Sequence, residues 1–198
     1  MMRLNDHLPD LLAPIRDLYV AALLETMAAE LNGGADVDAE PVERDGEGRI
    51  RRRGMLDLPQ RHDLRVGRGD RALMRKVPPG AMLGFDPVSA ALSDIASVSI
   101  GPFQWSAVTV RTRKAAGKPN WTPLRRWYLE WFQARFGEES PDLLGVVHGL
   151  DGPHDEYGGW RFTVDLGSAS PACFAAMLEA LAQSGCAAIT IGEAATAP

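Results

Sequence analysis

The sequence predicts an α+β protein whose C-terminal half runs strand, helix, strand, strand, helix, strand. Three observations lead there. Hydrophobic residues make up 45% and charged residues 24% of the 198, the balance of a chain that buries a core. A capping residue followed by proline occurs at Asp86-Pro87, Thr122-Pro123 and Ser170-Pro171; the capping oxygen accepts an orphan N–H, and proline at the first helical position gives up no hydrogen bond. Around the last two of these pairs lie short runs rich in β-favouring residues. Right-handed crossovers of this length pack such a half as a four-stranded antiparallel sheet with two helices on one face, the ferredoxin-like arrangement. An N-terminal helix and a polar β-hairpin arm precede it.

Residues 10–31 form the first predicted helix. Leu11, Leu12, Ile15, Leu18, Tyr19, Ala22, Leu23, Met27 and Leu31 recur at helical spacing, Asp10 stands as N-cap, and Asn32-Gly33-Gly34 ends the run. The apolar stripe needs a partner, since an isolated helix of this length is marginal in water. Residues 33–70 are polar and rich in Gly, Asp, Glu and Arg. Asp45-Gly46 predicts a hairpin between strands at 40–44 and 49–56, and Gly67-Arg68-Gly69-Asp70 a second turn between 63–66 and 71–77. Pro78-Pro79-Gly80 breaks the chain. The predicted organisation is therefore a helix plus basic arm over 1–80 and an α+β sandwich over 81–198, which the unsatisfied helix stripe would let pack as one domain.

In the second segment, helices are predicted at 87–95, with Val88, Leu92 and Ile95 on one face, at 123–136 and at 171–184. Strands are predicted at 105–111, 143–150, 160–166 and 186–191. The Gly- and Asp-rich stretch from 151 to 159 is read as a connection.

Composition narrows the function classes. No apolar run reaches the ~20 residues of a membrane span, and the acidic N-terminus argues against a secretory signal. Two cysteines, Cys173 and Cys186, make no disulfide framework and no CxxC pair. A cytoplasmic protein is expected, and the excess of 18 arginines over 3 lysines points to a GC-rich bacterial genome. The net charge of −5 is uneven, because residues 44–76 hold 11 basic and 5 acidic side chains. The run Arg49, Arg51, Arg52, Arg53, Arg61, Arg65, Arg68, Arg71, Arg75 and Lys76 is the kind of strip that neutralises phosphates. No nucleic-acid-binding motif accompanies it, and the acidic residues just before it supply partners, so nucleic acid is not the expected ligand. Signatures for dinucleotides, P-loop phosphates, nucleophile elbows and zinc proteases are also absent.

Two clusters remain as candidate sites. Trp127 and Trp131 lie one turn apart on the second of these helices, with Trp105 and Trp160 on or near strands. They fill a core first, and beyond that offer a subunit contact or a ligand pocket. The segment His148–Glu156 holds His148, Asp151 and His154, an imidazole and carboxylate set suited to a divalent metal, though at no recognised spacing. The most informative single observation is whether the His148–Glu156 loop and the Trp127/Trp131 face border one cleft. A non-enzymatic binding, regulatory or assembly module, with a small-molecule ligand or a second copy of itself as partner, is the leading expectation. A metal-dependent enzyme built on the His148–Glu156 loop and a component of a larger assembly docked through the basic arm are the alternatives. No cofactor is identified.

Overall fold

A computed structural model describes residues 8–78, 81–94, 96–114, 118–133, 142–156 and 158–192. Helix α1 spans Leu8–Asn32 and buries Leu8, Leu12, Ile15, Tyr19 and Leu23. Those positions follow one stripe of the predicted periodicity, and the amides of Gly33 and Gly34 close the helix end on the carbonyls of Ala29 and Leu31. The arm is a set of short pieces rather than one hairpin. Strand β1 (Val37–Ala39) pairs antiparallel with β4 (Leu64–Val66), which pairs in turn with β5 (Leu73–Arg75). Strand β2 (Arg52–Arg53) pairs with β3 (Leu58–Pro59). The turn at Asp45 is present, because Arg44 bridges to Ile50 and the Asp45 amide donates to the Arg49 carbonyl.

The C-terminal half is built on one six-stranded sheet. Its strands are β6 (Val88–Ala91), β7 (Ser97–Ile100), β8 (Val108–Lys114), β9 (Gly149–Glu156), β10 (Gly159–Asp165) and β11 (Cys186–Ile191), in the spatial order β6-β7-β11-β8-β10-β9. All neighbours are antiparallel except β7 and β11. Register sets Val110 beside Phe162 and Ile191, and all three side chains are buried. Gly159 is required at its place in β10, because a Cβ there would lie 1.8 Å from the Thr112 carbonyl oxygen on β8. Helices α2 (Thr122–Trp131) and α3 (Pro171–Gln183) pack on each other, and the Trp127 indole donates to the Cys173 carbonyl at 3.0 Å. Helix α1 packs on α3.

Several expectations are corrected. The sheet has six strands instead of four, because Val88–Ala91 pairs with Ser97–Ile100 where a helix over 87–95 was expected, and it is mixed, because Ser97–Ile100 runs parallel to Cys186–Ile191. Proline suits the approach to an edge strand as well as the first turn of a helix, and here the amides of Leu92 and Ser93 donate to the Ala96 carbonyl to close the turn. Ile95, counted on the expected helix face, lies outside the described residues, as do the predicted helical residues 134–136. The stretch 151–156, read as a connection, belongs to strand β9, while 143–148 carries no strand. Ser170 makes no side-chain cap; its backbone carbonyl accepts the Cys173 amide at 2.9 Å.

One set of buried side chains runs from Leu8 to Ile191 and includes Leu56, Leu58 and Leu64 of the arm. Among the described residues no helix is long and apolar enough to cross a membrane. Cys173 and Cys186 are both buried and are not joined in a disulfide.

Candidate functional site

The arm meets the sheet at His148. The residue sits just ahead of β9, its amide donating to the Asp165 carbonyl at 3.0 Å and its carbonyl accepting the Arg61 amide at 2.8 Å. Main-chain pairing on both sides holds the backbone, and the side chain is 1% exposed. Its Nε2 lies 2.8 Å from Glu40 Oε1 and its Nδ1 lies 2.9 Å from Asp63 Oδ1. Ionised carboxylates only accept, so both ring nitrogens donate and the ring is an imidazolium.

The two carboxylates are themselves held. Glu40 is fully buried and adopts a φ of +54°, in the sparsely populated left-handed region. Its Oε1 also accepts the Ser168 amide and its Oε2 the Leu144 amide, at 3.2 and 2.6 Å. Asp63 Oδ1 also accepts the Tyr19 hydroxyl at 2.8 Å, and its Oδ2 accepts the Val77 amide at 2.6 Å. One network thus ties α1, both ends of the arm and the start of β9. A third carboxylate, Asp165 at the end of β10, has its Oδ1 3.9 Å from His148 Nδ1 and accepts the Gly167 amide at 3.1 Å.

Protonation follows from this geometry. Burial alone would push the His148 imidazolium toward losing its proton, but the hydrogen bonds to Asp63 and Glu40 and the nearby carboxylate charges outweigh it and raise the pKa to about 10. Burial likewise pushes Glu40 and Asp63 upward, and their bonds to His148, with its charge, more than reverse this, leaving both below the usual carboxylate range. Asp165 goes the other way: burial raises it, the Asp63 charge adds to that, and His148 only partly opposes.

A pH dependence follows. His148 is raised above its ordinary value of 6.5, so its contribution is complete below that pH and is lost as pH climbs through about 10. Glu40 and Asp63 are lowered, so theirs is complete above their ordinary values of 4.5 and 3.8 and is lost as pH falls further. Asp165, being raised, opposes them on the acid limb. Unfolding temperatures measured with a chelator present, so that only protons load the cluster, should hold a plateau from about pH 5 to 7 and fall on both sides. An alkaline limb that is flat to pH 11 would contradict the doubly donating ring.

His148, Asp63 and Asp165 line a cleft of about 320 Å³ between arm and sheet, together with Gln60, Ser106 and Thr163. The cations Arg61, Arg75 and Lys76 also line this cleft, and the Lys76 charge acts on Asp165. The Arg61 guanidinium donates to the carbonyls of Glu40 and Phe132 and lies 4.5 Å from the Phe132 ring centroid, and Arg75 pairs with Glu30 at 3.3 Å.

Of the residues singled out from sequence, His148 alone of the metal set stands in this cluster. Asp151 also borders the cleft but pairs with His154 at 3.0 Å on the outer face of β9, where both are exposed. Trp105 is 1% exposed and stacks with Phe103 and Phe174. Trp160 meets Trp121 edge to face. Trp127 and Trp131 border a separate groove of about 390 Å³ between α2 and α3. The tryptophan face and the His148 segment therefore do not share a cleft. The basic run meets the acids that precede and punctuate it: Arg51 and Arg53 pair with Glu43, Arg49 with Asp45 and Glu47, and Arg68 with Asp36. Sequence reasoning passed over Glu40, Asp63, Asp165 and Tyr19, whose only signal was residue type. Compared with known proteins, the chain matches no family model, no curated protein and no solved structure, so the geometry of the cluster carries the assignment.

Proposed function

We propose that this protein is a ligand-binding module whose site is the cleft over His148, and that the site takes a small ligand through a positively charged group. The observation that carries this is the convergence of three carboxylates, Glu40, Asp63 and Asp165, on one imidazole. With the ring charged, His148 and the three carboxylates together carry one net negative charge if Asp165 holds a proton and two if it does not, and the charge of Lys76 on Asp165 offsets part of it. Buried charge of one sign is costly unless something compensates it, and a cationic ligand supplies the compensation. Asp165, one-fifth exposed at the cleft, is the carboxylate left to meet it. The fold around the site is read as a ferredoxin-like unit extended at one edge. The order β11-β8-β10-β9, with helices in the two crossovers, supports that reading, and β6 and β7 are the extension.

Thermal unfolding in the presence of matched small molecules tests the function. Ammonium, guanidinium and divalent cations are compared with neutral and anionic analogues at equal ionic strength. A cationic ligand at a hundredfold excess over its Kd adds about 2.7 kcal/mol, which should raise the unfolding temperature by roughly 5–10 °C in a chain of this size. Stabilisation by anions, with none by cations, would reverse the charge logic and end the proposal.

A further inference from the structure

Resting on that reading, we infer that the cation is a divalent metal ion held by His148 Nδ1 and one carboxylate oxygen each from Asp63 and Asp165, with Glu40 fixing the ring from behind. The ligand atoms of these three side chains lie within 4.8 Å of one another. Metal bonds of about 2.1 Å span at most about 4.2 Å across one ion. The pairs from Nδ1, at 2.9 and 3.9 Å, already meet that limit, and rotation of the partly exposed Asp165 side chain closes whatever excess remains. The ion takes the place of the Nδ1 proton, which leaves to solvent.

The surroundings fit a metal centre rather than a chance group of acids. A ligating histidine ordinarily donates its other ring N–H to a carboxylate or carbonyl, which fixes its tautomer and orientation. Glu40 does this at 2.8 Å from full burial, anchored by the Leu144 and Ser168 amides. Asp63 is oriented the same way by the Tyr19 hydroxyl and the Val77 amide. The three donors come from two separate stretches of the sheet half and from the arm, and the supporting groups are as buried as the ligands. One imidazole with two carboxylates suits zinc, iron(II) or manganese(II) better than calcium, which prefers oxygen alone. Three protein ligands leave coordination positions facing the cleft, as in sites that bind a further ligand.

The test uses the untagged full chain, stripped with a chelator and titrated calorimetrically with zinc and with manganese(II). Wild type should bind one equivalent. Asp165→Asn, which removes the charge of one proposed ligand at nearly equal volume and leaves the hydrogen bonds of His148 to Glu40 and Asp63 in place, should weaken binding at least 10-fold. His148→Gln should abolish it, and because that variant also loses stability, Asp165→Asn decides. The double variant Asp151→Asn with His154→Gln should bind as wild type. Equal affinity in Asp165→Asn, or loss of binding in the Asp151/His154 variant, would overturn the assignment. Failure of both metals while ammonium or guanidinium ligands still stabilise the protein would overturn it and leave the cation-binding reading standing. Failure of every cation would remove both.

Discussion

A His148→Gln variant is expected to lose about 3–5 kcal/mol of unfolding free energy, the usual cost of breaking a buried ion pair from one side. Against a typical total of about 5–15 kcal/mol, that is a large share from a substitution of nearly equal volume. The loss comes from what remains. Glu40, fully buried, and Asp63, at 3% exposure, would keep their negative charges with one neutral side chain between them. Glutamine has a single amide nitrogen to offer where the ring offers two, on opposite sides. Urea unfolding of wild type and variant, read as a shift in midpoint at unchanged slope, measures it directly. Adding Glu40→Gln should cost much less than it does alone, with a coupling energy of about 0.5–3 kcal/mol, because neutralising a partner removes the unpaired charge. A His148→Gln variant within about 0.5 kcal/mol of wild type, the range of an ordinary surface change, would show that the ring carries no charge.

The same energetics bear on why the cluster exists. Replacing a whole buried ionic group by apolar residues of equal size is often neutral or stabilising, so stability alone does not account for one imidazolium and three carboxylates gathered at and behind the wall of a cleft. A chain selected only for packing would fill the place with leucines, as it does a few residues away with Leu143, Leu150 and Leu166, all under 5% exposed.

How far the sequence announced this depends on whether the cause was local. The α1 stripe, the turns at Asp45 and Gly67 and strands β10 and β11 follow from residues within a few positions of one another, and each was legible. Asp86-Pro87 misled because the pair fits two local structures, and only pairing of Val88–Ala91 with Ser97–Ile100 selects one. Strand β9 was masked by its composition. It lies at the sheet edge, so Asp151 and His154 point to solvent, and a shift in register between Arg161 and Thr163 accommodates Pro153. The site was the least legible part. His148 drew notice as the polar end of an apolar run, but Asp63 and Glu40 stand 85 and 108 residues away. Nothing in the arm separates those two acids from neighbours such as Asp36, Asp45 and Glu47, which pair with arginines at the surface. Tyr19 looked like one more member of a helical stripe, and only its hydroxyl, aimed at Asp63, sets it apart.

Gly167→Ala should disturb the site almost as much as losing the ring, without replacing a charged residue. Gly167 has a φ of +52°, and a Cβ built there would sit 2.4 Å from the Val146 carbonyl oxygen and 2.4 Å from His148 Cδ2. The left-handed conformation costs an alanine about 1–2 kcal/mol, and forcing a methyl into a packed interior adds about 1–3 kcal/mol. Neither neighbour has an easy way to yield. The Val146 carbonyl is main chain, and the ring is pinned at both nitrogens by carboxylates that are themselves held by amides. Gly185→Ala separates the two costs, because Gly185 has a φ of +91° with nothing within 4 Å of the added carbon. Gly185→Ala should therefore show the backbone cost alone, and Gly167→Ala should exceed it by at least about 1 kcal/mol. The ring N–H protons of His148, slow to exchange in wild type, should shift or broaden in proton NMR spectra of Gly167→Ala and stay in place in Gly185→Ala. Equal losses and unchanged ring protons in the two variants would mean that Gly167 does not hold the imidazole against its carboxylates.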